Sequence, residues 1–459
     1  MAERWLTLER VLVALTLAIL VWAPLPAASN RPWSSALLVL LVALLAVGWS
    51  YALLQARRPH RLMPPAGAWW MFALLLAAQA WVLVQITSGI STDSGASFRA
   101  LLLGCAYALL FLIVTGLFRS RRRLTLLLAV LLISGTLQAF YGAFMTLSGI
   151  EWMLFEPKTW GRGLVTGTFV NRNHMAGYLE MTLAAGIGLL MALRDGRPFD
   201  WRALPDLLLG PKAWIRLALV IMVIGLVMTH SRMGNVAFFS SLLVVGGLFA
   251  LVHPEHRLRN GAILISLLLI DLLIVSQHFG LDNLRDRLAA TQLEDLVVDG
   301  EVVRHENVDR DDIALYALPQ FLERPWSGYG AGAFEASFQR FPGPDVRARF
   351  DHAHNDYLQF AIEFGVIGML PLALFVLMAL GYALRALCRR RSLYRNGVGL
   401  GAAMGITALM IHATSDFNHQ IPANAATFVV LCAIAVLAVE SRGRRNRNAA
   451  LAPPTRKIV

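Results

Sequence analysis

Twelve apolar runs recur along the chain, each near the roughly 20 residues a helix needs to cross a bilayer. They fall at 8–25, 35–54, 66–86, 99–118, 124–148, 174–193, 215–230, 233–252, 261–279, 356–384, 397–413 and 422–440. A soluble fold cannot bury this much apolar surface: 57% of the 459 residues are hydrophobic and only 15% are charged. The pattern predicts an all-α polytopic membrane protein. The first run, Val11–Ala23, has basic flanks and is followed by Pro-Leu-Pro-Ala-Ala-Ser, which resembles a cleavable signal. With so many spans behind it, it reads as a retained first helix.

An even number of spans puts both termini on one side, and the basic residues decide which. The termini and alternate loops (1–10, 55–65, 119–123, 194–216, 253–260, 385–395, 441–459) hold 27 Lys and Arg. The short loops of the opposite set hold six, and the remaining eight lie in one long segment, 280–355. Long segments are exempt from the positive-inside rule, so both termini are expected in the cytoplasm and 280–355 outside. The net charge of +12 is then explained by topology and contact with membrane lipids, and no nucleic-acid partner is implied. The expected organisation is spans one to nine in 1–279, the external loop 280–355, spans ten to twelve in 356–440 and a basic tail, 441–459. Within the loop, 309–325 reads as an amphipathic helix and 326–334 as a glycine-rich turn, followed by a short helix. No GK[ST] follows these glycines and no strand–helix unit frames them, so a phosphate loop is excluded. Cys105, Cys388 and Cys432 have no metal-knuckle spacing, and no disulfide framework is expected.

On this topology eight of the eleven histidines (174, 230, 278, 305, 352, 354, 412 and 419) fall in outer loops or near the outer ends of spans. The same face carries Asn171-Arg172-Asn173-His174, His230-Ser231-Arg232, and Asp416, Asn418 and His419. The densest cluster is Asp351–Asp356, directly before the tenth span. Asn355 or Asp356 suits the helix N-cap. His352 and His354 then sit at a positive helix end, which biases histidine towards its neutral form and favours a bound anion. Asn355, Gln359 and Glu363 recur at spacing four as one polar stripe below the cap. An intramembrane carboxylate such as Glu363 is a functional candidate, with a structural hydrogen-bond network as the other reading. The same two readings apply to Asp271 in the ninth span, for which the sequence offers no partner. The His-Ala-His spacing alone is weak support for a metal, and none is expected.

The stretch HAHNDYLQFAIEFGVIG (352–368) resembles the signature of the O-antigen ligase and polymerase superfamily of bacterial inner-membrane proteins. GTFVNRNHMAGYLEM (167–181), HSRMG (230–234) and RDDIALYALPQFLERPWSGYGAGAF (310–334) are similar to further segments of that family, in the same order. One departure is Met233, where a small residue is usual; it puts the packing around Arg232 in question, not its charge. The resemblance implies glycosyl transfer on the periplasmic side from a glycan on undecaprenyl diphosphate. It implies no cofactor and metal-independent, inverting chemistry, with arginines at the diphosphate and a histidine at the acceptor. Carried over, Arg232 and Arg310 hold the diphosphate with Arg172 as a third candidate. His354 is the base, His352 positions it or substitutes for it, and Glu363 orients the cluster. Asn355, Asn173 and His174 are further site candidates. Ligation to lipid A–core is the first reading and polymerisation of O-antigen or exopolysaccharide the second. Transport of a lipid-linked glycan is the third, and would call for broken helices and polar groups near the bilayer midplane.

Overall fold

The computed structural model describes residues 2–56, 59–154, 156–159, 161–194, 210, 212–254, 261, 265, 296–298, 301–304, 310–341, 350–389 and 392–440. Among these, thirteen α-helices follow one another. They are α1 (Ala2–Trp22), α2 (Pro32–Gln55), α3 (Ala66–Thr87), α4 (Ser94–Leu117), α5 (Arg121–Ser148), α6 (Arg172–Ala192) and α7 (Ala213–Met228). After them come α8 (Arg232–Val252), α9 (Arg310–Glu323), α10 (Phe334–Phe338), α11 (Asp356–Leu387), α12 (Leu393–His412) and α13 (Pro422–Glu440). Three single-turn 3-10 helices (Ala27–Ser29, Pro59–Arg61 and Asn418–Gln420) and two small antiparallel hairpins complete the described part: β1 (Trp152–Met153) with β2 (Glu156–Pro157), and β3 (Leu296–Val298) with β4 (Glu301–Arg304).

Eleven of the twelve expected spans coincide with α1–α8 and α11–α13; the ninth, with Asp271, lies outside the described residues except for 261 and 265. Eight of the described helices are long and apolar enough to cross a membrane. The chain is therefore an all-α, multi-pass membrane protein. Helices α6 and α13 are buried along their lengths, whereas Leu44, Val47 and Leu54 of α2 and Leu243, Val244 and Leu251 of α8 stay exposed, as a lipid-facing surface requires. In the centre α6 and α12 approach until a Cβ on Gly188 would lie 2.7 Å from the Gly401 Cα. Small residues at such crossings let two backbones touch. The approach also brings Glu180, midway along α6, into direct contact with His412 at the end of α12.

The decisive local feature is a break in α11. Gly365 has φ 62° and ψ 177°, so the helix stops at Phe364 and restarts at Val366. This conformation strains any residue with a Cβ. A break within a bilayer frees backbone groups that must find partners in the protein. The loop Pro325–Gly332 supplies most of them: Val366 N–H donates to the Pro325 carbonyl (2.8 Å), Tyr329 N–H to Ile362 (2.9 Å) and Gly330 N–H to Glu363 (3.0 Å). Two side chains of α3 supply the rest: Trp81 Nε1–H donates to the Phe364 carbonyl (2.7 Å), and Gln85 Nε2 to those of Ser327 (2.7 Å) and Glu363 (2.9 Å). Gly328, Gly330 and Gly332 all have positive φ, which lets the loop wrap the break. Pro319 sits inside α9, and behind the loop Ile313, Ala317, Tyr329, Phe334, Phe338 and Ile362 form a small apolar core.

Substitution separates this role from ordinary helix packing. Gly365→Ala introduces a Cβ that meets the Trp326 carbonyl and a backbone strain of about 1–2 kcal/mol. It is expected to lower the thermal midpoint of the detergent-solubilised protein by several degrees. Gly381→Ala on the same helix, with open space around it, should leave the midpoint unchanged.

Candidate active site

Helices α6, α8 and α11 all begin on one face of the bundle, and each start is built by its own sequence. Asn171 caps α6 by accepting the Asn173 N–H (2.8 Å), Ser231 caps α8 by accepting the Gly234 N–H (3.2 Å), and Asn355 caps α11 by accepting the Leu358 N–H (3.1 Å). Arg172 and Arg232 are therefore the first residues of two of these helices. Arg172 is half-buried and Arg232 exposed. Met233 does not disturb the contact of α8 with α6, because Gly234 makes it: a Cβ there would lie 2.6 Å from the Ala176 Cβ. Arg310 begins α9, and its side chain lies outside the described residues.

Phe417, in the turn between α12 and α13, gathers the histidines. The His352 ring stacks on it at 4.0 Å, and the rings of His174 and His354 meet it edge-on at 4.5 and 5.0 Å. His354 has φ 50°, a left-handed conformation that ends the loop abruptly before the cap. The expected stripe below is present. His352 Nδ1 lies 3.0 Å from Gln359 Nε2 and 3.3 Å from its Oε1; Gln359 Nε2 donates to Glu363 Oε1 (2.9 Å), while its Oε1 accepts the Ala353 N–H (3.1 Å). The Gly332 N–H donates to Glu363 Oε2 (2.9 Å), and the Phe334 N–H also donates to this carboxylate. Glu363 thus ties the loop to the stripe. Burial holds the His352 imidazole below the usual histidine range, against the opposing pull of Asp351.

A second buried network lies behind Phe417. Glu180 of α6 and His412 of α12 pair at 2.7 Å, both fully buried. His412 Nε2 lies 4.0 Å from Asp416 Oδ2, and Asp416 Oδ1 lies 3.6 Å from His174 Nε2. Glu180, Phe417 and this linkage were not among the candidates from sequence, since Glu180 and His412 are 232 residues apart. Asn173 is buried in the first turn of α6, beside His174. Of the nine candidate residues, His174, His352, His354, Asn355 and Glu363 belong to one connected cluster through Phe417 and Gln359, and Arg172, Asn173 and Arg232 stand at neighbouring helix starts.

Beside the cluster a cavity of about 830 Å³ opens between α3, α4, α11, α12 and α13. Its lining is apolar for most of its length, with Leu75, Leu103, Leu372, Leu377 and Phe428. Asp356, Glu363, Thr414, His419 and Gln420 line it towards the face where α11 begins.

Two outcomes follow from the buried groups. His352 has a folded pKa below its unfolded value of about 6.5, so it costs no stability above that pH and removes stability as the pH falls below it. The thermal midpoint should drop between pH 7.5 and 5.5, and less steeply in His352→Gln. His412→Ala strips the buried Glu180 of its partner and should cost about 3 kcal/mol or more, read as a loss of thermal midpoint.

Residues 217–373 match the family model described as O-antigen ligase. The match takes in Arg232, Arg310, both loop histidines, Asn355, Gln359, Glu363 and the break at Gly365. A search of curated proteins returned no significant match. The matched segment supports the resemblance to the O-antigen ligase and polymerase superfamily over that part of the chain.

Proposed function

We propose that the protein transfers a glycan from undecaprenyl diphosphate to an acceptor hydroxyl on the periplasmic side of the bacterial inner membrane, with both termini in the cytoplasm. The acceptor in this reading is lipid A–core, which makes the protein an O-antigen ligase. One observation carries the reading: the N-terminal ends of α6, α8 and α11 share a face with the histidine cluster, and two of them begin with arginine. Helix N-termini and arginines attract anions, and a lipid diphosphate is the anion this chemistry displaces.

In the proposed step the acceptor oxygen bonds to the anomeric carbon. The bond from that carbon to the phosphate oxygen breaks, and the diphosphate leaves with the electron pair. Arg232 and Arg310 neutralise the developing charge, with Arg172 as a third cation. His354 takes the hydroxyl proton. His352 positions the reacting groups, and Glu363 holds the stripe through Gln359. Asn355, Asn173 and His174 shape the helix starts around them. No metal or cofactor has a part in this step.

The break in α11 is the kind of feature that the transport reading asks for, but its freed backbone groups are closed by the loop and α3. The purified protein, given a lipid-diphosphate glycan and candidate acceptors in detergent, distinguishes the readings by product. Glycan on lipid A–core supports ligation, elongated lipid-linked chains identify a polymerase, and no covalent product leaves transport. With protein level controlled, His354→Ala and Arg232→Ala are each expected to lower transfer at least a hundredfold. Normal rates in both would sink the assignment.

A further inference from the structure

Helix α9 is apolar on two sides. Ile313 and Ala317 are buried in the small core behind the glycine loop, and Gln320 beside them is buried on Ser337. On the other side Leu315, Leu318 and Leu322 follow at spacings three and four, so they form one stripe. Trp326, three residues beyond the helix end, is exposed too. These four side chains are 45–68% exposed, in a segment that is not itself a membrane span. A row of large apolar side chains on an outer surface marks a contact.

The level of α9 identifies the partner. Below the break, Val366–Leu387 is roughly 33 Å long at 1.5 Å per residue, close to the hydrocarbon thickness of about 30 Å. The exposed apolar row of α11 also starts at the break, with Val366, Ile367 and Leu370, while Leu358–Gly365 above it has no exposed residue. The edge of the hydrocarbon therefore lies near Gly365. The loop is bonded to α11 at that level: Val366 N–H donates to the Pro325 carbonyl (2.8 Å) and Ile367 N–H to that of Trp326 (3.4 Å). Tryptophan favours this boundary. Ile313 and Ala317 share a core with Ile362, only about 4.5 Å of helix above Gly365, so α9 stays near the same level. Residues 310–324 carry two arginines against three acidic residues, so attraction to anionic headgroups does not hold the helix. We propose that Leu315, Leu318, Leu322 and Trp326 lie in the membrane–water interface, and that the bilayer surface itself is the partner of this face. Under the transferase reading, the contact holds Arg310, the first residue of α9, at headgroup level; the contact itself does not depend on that reading.

The test uses the full chain in phosphatidylcholine nanodiscs. One probe is a phosphatidylcholine with a diazirine near the head of an acyl chain, and the other is a water-soluble diazirine. Labels are mapped by mass spectrometry, with Leu44 and Val47 of α2 as the lipid-facing standard. The lipid probe should mark Leu315, Leu318, Leu322 and Trp326 within about threefold of that standard, and the aqueous probe should mark them weakly. Leu318→Glu combined with Leu322→Glu should lower lipid labelling of α9 about tenfold and leave α2 unchanged. Replacing a third of the lipid by phosphatidylglycerol should change the wild-type pattern less than about twofold; a larger rise overturns the apolar basis of the contact. Labelling of the stripe by the aqueous probe alone overturns the proposal. Labelling by neither probe also overturns it, because protein then covers the face, from a second copy or from another part of the chain. The wild-type pattern decides between these outcomes even where the double variant fails to fold. No turnover is needed, so lipid labelling of α9 in a protein that makes no glycan product would support the membrane contact and refute the transferase reading alone.

Discussion

Everything on the site face depends on how the break at Gly365 is closed. A bilayer tolerates no unpaired amide, so a helix can break there only if the protein supplies partners. The loop from Pro325 to Gly332 and the side chains of Trp81 and Gln85 supply them. In closing the break, the loop is fixed against α3 and α11 at once. The Glu363 carboxylate then receives the Gly332 N–H and the Gln359 amide, and Gln359 reaches His352. The position of the His352 ring is therefore linked to a backbone defect thirteen residues away by hydrogen bonds between amides, a carboxyl group and an imidazole.

The other support is a buried polar network that holds α6 to α12. Close backbone approach at Gly188 and Gly401 brings Glu180 against His412, and Asp416 extends the contact towards His174. Phe417 is carried by the same turn, so the aromatic surface on which three histidines rest is set by helix packing and not by the loop that bears two of them. The loop and the bundle thus position His352 from two directions.

Hydropathy made the spans legible, because in lipid each one must be apolar along its whole length. The Gln359–Glu363 stripe was legible for a similar reason: spacing four on a helix is a physical contact. The glycine-rich segment could be read as a turn but not as the partner of a broken helix. Gly365 looks like any glycine in a membrane span, and only its φ reveals the break. Phe417, Glu180 and His412 could not be found by spacing, since their contacts join segments far apart in the chain. Asp356 could be read as a cap candidate, but its true role at His419 depends on a turn 63 residues away. Asn355 took the cap instead.

The bond from Gln85 to the Glu363 carbonyl also has a meaning in time. Its two ends are separated by 278 residues. During synthesis α3 enters the bilayer with Trp81 and Gln85 near its end, long before the backbone groups they bind exist. Their polar atoms must remain at the water-facing edge, or borrow other partners, until α11 follows. The loop can dock only after that. Assembly of the histidine cluster therefore waits until α11 and the turn that carries Phe417 have been made.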